Sequence, residues 1–263
     1  MPTTDTGEAK IHYQDVGAGK DVIVLLHAFP LHSGMWSRQL AAFSHRYRVI
    51  APDYPGLGKS ALRPEPSSMD ILAGQVKALL DGLRIDRALV VGLSMGGYLA
   101  FELYRRRSAL FRGLVLCDTR PGADTPEGAA GRETFARNAV EKGLHWVADE
   151  MTPKLLRPSP DPAVVREVRA LIGQGTPAGV AAAQRGMARR IDSTPTLATI
   201  TCPTLVVVGE EDSLTPPVEA EKMVGLVKGA RLVRIPGAGH LPNMEAPAAF
   251  DKALLDFANG LSK

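Results

Sequence analysis

Cysteine is scarce: the 263 residues hold two, Cys117 and Cys202. That count excludes a disulfide framework, and their spacing matches no zinc pattern. Cys117 lies inside an apolar run and Cys202 just before another, so both read as small buried hydrophobes. Charge of one sign is lacking too. Lys and Arg number 31 against 28 Asp and Glu, and a net +3 is no electrostatic footprint for nucleic acid. The one dense run, Arg105-Arg106-Arg107, closes an expected helix and complements its negative C-terminal end. Long apolar segments are missing as well. The richest, residues 88–101, is too short to span a bilayer and carries three glycines. The opening stretch from Met1 to Glu8 has no basic n-region and no apolar h-region, so no signal peptide is expected. The chain therefore reads as cytoplasmic, with no membrane partner. A hydrophobic content of 45% excludes intrinsic disorder and suits one large α/β unit.

Within that frame, short β-rich runs alternate with helical patterns. Residues 22–26, 47–51, 88–91 and 113–117 are nearly continuous in apolar residues, as expected of parallel strands buried on both faces. Residues 36–44, 67–83 and 95–108 between them have helical length and spacing. Residues 10–14 enter a Gly17-containing turn and read as an antiparallel edge strand. The alternation predicts a doubly wound, mostly parallel sheet of about eight strands. No convincing strand occurs over residues 121–199, where helices are expected near 128–144, 161–172 and 177–190. Strand character resumes at 204–208 and 231–235, with helices near 217–227 and 246–261. The expected organisation is a core of residues 1–120 and 200–263, interrupted by a helical insertion, 121–199, after the sixth strand.

The strongest local signal is Gly92-Leu93-Ser94-Met95-Gly96, which satisfies G-x-S-x-G and leads from a strand straight into a helix. Such a turn strains the serine backbone and leaves no room for bulky neighbours two residues away, hence the glycines. A serine hydroxyl needs a base to take its proton. Of six histidines, His240 lies in a loop just after the strand at 231–235. That loop opens on the same sheet edge as Ser94, where open α/β sheets place their sites. The histidine in turn needs a carboxylate to hold its tautomer. Asp118 and Asp212 both stand at strand ends between Ser94 and His240 in chain order. Adjacency of consecutive strands favours Asp212, with Asp118 and then Glu211 as alternatives.

Ser94 in G-L-S-M-G-G, Asp212 in G-E-E-D-S-L-T-P, His240 in G-A-G-H-L-P-N-M-E and the loop His27-Ala28-Phe29-Pro30 together resemble the α/β-hydrolase fold family. The likeness runs over nearly all of the chain outside the insertion. Within the family the chain is similar to the esterase and lactonase branch, which includes 3-oxoadipate enol-lactonases, carboxylesterases and cofactor-free perhydrolases. The resemblance implies that residues 121–199 are the cap. It also implies an oxyanion hole built from the backbone N–H groups of Phe29 and Met95, with Ala28 standing where glycine is usual. His27 then supports that loop. The stretch from Asp53 to Ser60 ends in Gly-Lys-Ser, but a phosphate loop needs glycine where Asp53 stands, so nucleotide is not implied. No cofactor and no metal are expected.

The expected function is hydrolysis of small carboxylic esters or lactones through Ser94, Asp212 and His240 and an acyl-enzyme. Leu31 and Trp36 near the hole, and Trp146 and Met187 in the insertion, are the candidate substrate-binding residues. Arg120, Arg185, Arg189 and Arg190 are candidates to meet a substrate carboxylate. Perhydrolysis, with hydrogen peroxide in place of water, uses the same three residues and is the alternative. A non-catalytic ligand sensor on the same scaffold is another. The sequence leaves a homo-oligomer open.

Overall fold

The computed structural model describes residues 2–5, 10–63 and 67–261. Residues 1 and 6–9 of the N-terminal stretch, and 262–263 at the end of the core, lie outside the described residues. In chain order come β1 (Thr3–Asp5), β2 (Lys10–Val16), β3 (Val22–Leu26), α1 (Ser37–Phe43), β4 (Arg48–Pro52), α2 (Met69–Gly82), β5 (Ala88–Leu93), α3 (Met95–Arg106) and β6 (Phe111–Cys117). Four helices follow: α4 (Pro126–Leu155), α5 (Pro162–Ile172), α6 (Pro177–Ala188) and α7 (Thr194–Leu197). The chain ends with β7 (Thr204–Gly209), α8 (Pro217–Leu226), β8 (Arg231–Ile235), α9 (Pro242–Glu245) and α10 (Pro247–Gly260).

The eight strands form one sheet in the order β1-β2-β4-β3-β5-β6-β7-β8. Pairings from β4 through β8 are parallel, and β1–β2 and β2–β4 are antiparallel. One detail departs from the sequence reading: β2 is antiparallel but not the edge, because the short β1 pairs outside it. Every residue of β5 and β7 is buried, which explains their uninterrupted apolar runs. From β3 the chain runs outward to β4, then crosses back so that β5 lies on the other side of β3. The loops leaving the C-terminal ends of β3 and β5 therefore diverge, opening the crevice in which such sheets hold their sites.

The stretch between β6 and β7 is helical. Its ends are pinned where the Ser193 N–H donates to the Pro121 carbonyl at 2.9 Å. The helix expected to stop near Leu144 instead continues as α4 to Leu155, in two pieces joined at Gly143, whose φ is 78°. A left-handed φ is cheap only for glycine, so the sequence marks the bend while the helical spacing resumes beyond it. Helix α6 docks on the loop after β4: the Thr176 N–H donates to the Gly56 carbonyl at 2.8 Å. That loop is organised by Asp53, whose buried carboxylate accepts from the N–H groups of Ser33 and Lys59 and contacts His12 Nδ1. The arginine run at the end of α3 is spent on ion pairs: Arg105 to Glu102, Arg106 to Asp70, and Arg107 to Asp81 and Asp86. No helix among the described residues is long and apolar enough to cross a membrane.

Candidate active site

Ser94 caps the junction of β5 and α3 with φ 55° and ψ −114°, a region L-residues rarely occupy. The glycines around it are steric necessities. A Cβ on Gly96 would stand 2.1 Å from the Leu26 carbonyl oxygen, and one on Gly92 would stand 2.4 Å from that of Gly96. The turn is further held by the Ser94 N–H donating to the Cys117 carbonyl and the Thr119 hydroxyl donating to the Ser94 carbonyl.

His240 and Asp212 arrive from the loops after β8 and β7. Nδ1 of His240 lies 2.9 Å from Oδ2 of Asp212, and both side chains are buried. Asp212 Oδ1 accepts from the N–H groups of Leu214 and Thr215, and Oδ2 accepts from the Thr215 hydroxyl. Burial works to raise the Asp212 pKa, but the adjacent His240 and the Thr215 hydrogen bonds outweigh it and hold the carboxyl below its ordinary range. The carboxylate in contact with His240 is thus Asp212. Asp118 lies behind it, held by the Gly209 N–H, and Glu211 is exposed. Asp118, Asp212 and His240 also form the one grouping of potential metal ligands found among the described residues. Both Asp212 oxygens are already engaged by donors, so the arrangement is a hydrogen-bonded chain and not a coordination shell.

The loop after β3 supplies the opposite wall. His27 is fully buried, and desolvation lowers its pKa to about 4, so the ring is neutral. Its Nε2 accepts from the Tyr54 N–H at 3.2 Å, which leaves Nδ1–H to donate to the Ala28 carbonyl at 2.9 Å. In a trans peptide the C=O and N–H point in opposite directions, so tethering the Ala28 carbonyl turns the Phe29 N–H away from His27. The N–H groups of Phe29 and Met95 find no protein acceptor among the described residues.

Ser94, His240 and Phe29 line one cavity of about 310 Å³, roofed by the helices after β6. Gly128, Gly131, Arg132 and Phe135 of α4 face it at i, i+3, i+4 and i+7, and that helical spacing is the sequence signal that marks them. Of the four expected substrate-binding residues, Met187 is on the wall. Trp146 stands behind it, packed on Phe135 with ring centroids 4.9 Å apart. Leu31 and Trp36 are corrections: both are fully buried in the core, Trp36 against Phe250, because apolar residues beside a site loop pack inward as readily as toward it.

The polar part of the wall centres on Asp124. Arg190 donates to it from beneath while stacking on Tyr98, and Arg132 and Arg120 reach it from the cavity. Burial opposes ionisation of Asp124, but Arg190 and Arg132 overcome it and drive its pKa well down. Three guanidinium groups around one carboxylate leave an excess of positive charge beside Ser94. Of the other expected arginines, Arg185 pairs with Glu133 and Arg189 is exposed.

A mostly parallel sheet with a serine on a strained strand-to-helix turn, facing the loops after its last strands, defines a hydrolase of α/β architecture. The chain belongs to the Alpha/beta hydrolase family, whose description matches residues 23–253. It is similar to 3-oxoadipate enol-lactonase 2 of Acinetobacter baylyi, 27% identical over 96% of this chain and 94% of that one. Among solved structures, an esterase from Thermogutta terrifontis with malate bound is 38% identical, with a TM-score of 0.94 over 99% of this chain and 97% of that one. The enol-lactonase from Burkholderia xenovorans LB400 is 29% identical, with a TM-score of 0.90 over 98% and 100% of the two chains.

Proposed function

We propose that the protein hydrolyses small carboxylic esters or lactones that carry a second, anionic group, through an acyl-enzyme on Ser94. The observation that carries this reading is the His240–Asp212 pair at 2.9 Å, with His240 and Ser94 lining one cavity. His240 Nε2 takes the Ser94 hydroxyl proton as Oγ attacks the substrate carbonyl carbon. The carbonyl oxygen becomes an oxyanion facing the N–H groups of Phe29 and Met95, donors worth roughly 3 kcal/mol each in comparable sites. The tetrahedral centre then collapses: the C–O bond to the alcohol breaks, and His240 hands its proton to the leaving oxygen. Water enters, gives one proton to His240 and attacks the acyl carbon. The Ser94 ester bond breaks, His240 returns the proton to Oγ, and the acid leaves. With a lactone, the leaving alcohol stays tethered to the acyl group.

Residues 121–199 act as the cap over this reaction. The anionic preference rests on Arg120 and Arg132, which face the cavity, and accords with the malate in the related esterase. The test is initial rates on p-nitrophenyl acetate and butyrate, γ-butyrolactone, an N-acyl-homoserine lactone and the p-nitrophenyl monoester of succinic acid, each with Ser94→Ala alongside. Ser94-dependent turnover with the highest kcat/KM on the succinate monoester is the expected result. Turnover that persists in Ser94→Ala overturns the reading.

A further inference from the structure

Behind the His240–Asp212 pair, β6 delivers a third carboxyl group. Asp118 directly follows β6, takes a left-handed φ of 43° and is 1% exposed. Its N–H donates to the Val207 carbonyl at 3.0 Å, and its Oδ1 accepts from the Gly209 N–H at 2.8 Å. Those bonds fix the side chain against the end of β7. Oδ2 is buried with no donor in reach. Asp118, Asp212 and His240 each bring a polar atom to within 4.8 Å of the others.

Two buried carboxyl groups so close cannot both be ionised at modest cost, so one holds a proton. The distribution of donors decides which. Asp212 is served by two backbone N–H groups, a hydroxyl and His240, all of which favour its charge. Oδ2 of Asp118 has none. Burial, then the charge of Asp212, push the Asp118 pKa well above the ordinary carboxyl range.

We propose that Asp118 is a neutral carboxylic acid whose hydroxyl donates to Asp212, a positioning residue that holds the acid of the hydrolytic chain and tempers its charge. This rests on the reading of Ser94, Asp212 and His240 given above. The ionisable groups facing Asp118 are Asp212 from the β7–α8 loop, His240 from the β8–α9 loop and Glu245 from α9, with Cys117 adjoining it on β6. Glu245 is occupied, accepting from the N–H groups of Arg157 and Gly239. Without the Asp118 hydroxyl, Asp212 loses a donor, and its less tempered charge grips the imidazolium formed during the reaction more strongly.

Three variants test this on the full chain. Asp118→Ala should lower kcat about tenfold with KM within about twofold, and move the acid limb of kcat/KM upward by about half a pH unit. Asp118→Asn, whose amide N–H donates and whose carbonyl still accepts from Gly209, should restore most of that kcat and return the limb. Infrared difference spectra at neutral pH should show a neutral carboxylic-acid carbonyl band in the wild type that Asp118→Asn removes. A band that survives Asp118→Asn, or an Asp118→Ala enzyme with unaltered kcat and acid limb, overturns the proposal. The spectrum needs no turnover, so it stands apart from Ser94→Ala, whose retained activity would instead sink the hydrolytic reading.

Discussion

His27 and Tyr54 stack with ring centroids 3.7 Å apart, and the Tyr54 N–H donates to the same imidazole that tethers the Ala28 carbonyl. One neutral ring thereby joins the loop after β4 to the loop that presents the Phe29 N–H.

That ring makes stability depend on pH. The His27 pKa falls from the ordinary 6.5 to about 4 on folding, so between those values the unfolded chain binds a proton that the folded protein does not. Stability is therefore lost as pH falls through that window, with a slope approaching about 1.4 kcal/mol per pH unit from this residue. Asp118, raised on folding, contributes with the opposite sign. Urea denaturation of wild type against His27→Gln isolates the histidine: the stability gap between them should narrow from pH 7 to pH 4. A gap independent of pH would mean the ring is not held neutral.

Ser94→Ala should lower kcat by about 10⁴-fold or more, and Asp212→Asn by a comparable factor because it favours the wrong imidazole tautomer. Circular dichroism should be unchanged in both. Ser94→Gly should be equally inactive yet about 1 kcal/mol more stable than Ser94→Ala, since glycine accepts the φ of 55° without strain. Equal melting curves for the two variants would show that the turn is relaxed.

Gly96→Ala should be among the most damaging single-methyl changes in the chain. Its Cβ would meet the Leu26 carbonyl at 2.1 Å, backbone that cannot yield without parting α3 from β3. A loss of about 3 kcal/mol or more is expected, read by chemical denaturation.

Arg132→Gln should discriminate between substrates. Losing a charge-assisted contact should lower kcat/KM for the succinate monoester by about tenfold or more, while p-nitrophenyl acetate changes by less than about threefold. Parallel losses on both esters would assign Arg132 to bracing Asp124 instead.

Much of this architecture was legible because the physics that shapes it is local. Strands buried on both faces of a parallel sheet have no polar side, so residues 22–26, 88–91 and 204–208 announce themselves as apolar runs. Ser94 is equally legible, since its turn admits only glycine at 92 and 96. The short β1 carries no such run, and Gly143 makes one bent helix read as a shorter one.

The sequence by itself determined the sheet, the serine turn and the histidine loop, each a consequence of neighbours close in the chain. Only the tertiary structure decided which acid meets His240, because Asp118 and Asp212 both end strands and differ in what the next strand brings to them. It also decided the cavity wall. Leu31 and Trp36 turn inward, while the loop after β6 and the first turns of α4 bring Arg120, Asp124 and Arg132 into the cavity that Ser94 lines. Burial and charge balance are sums over neighbours distant in the chain, and those sums exist only once the chain is folded.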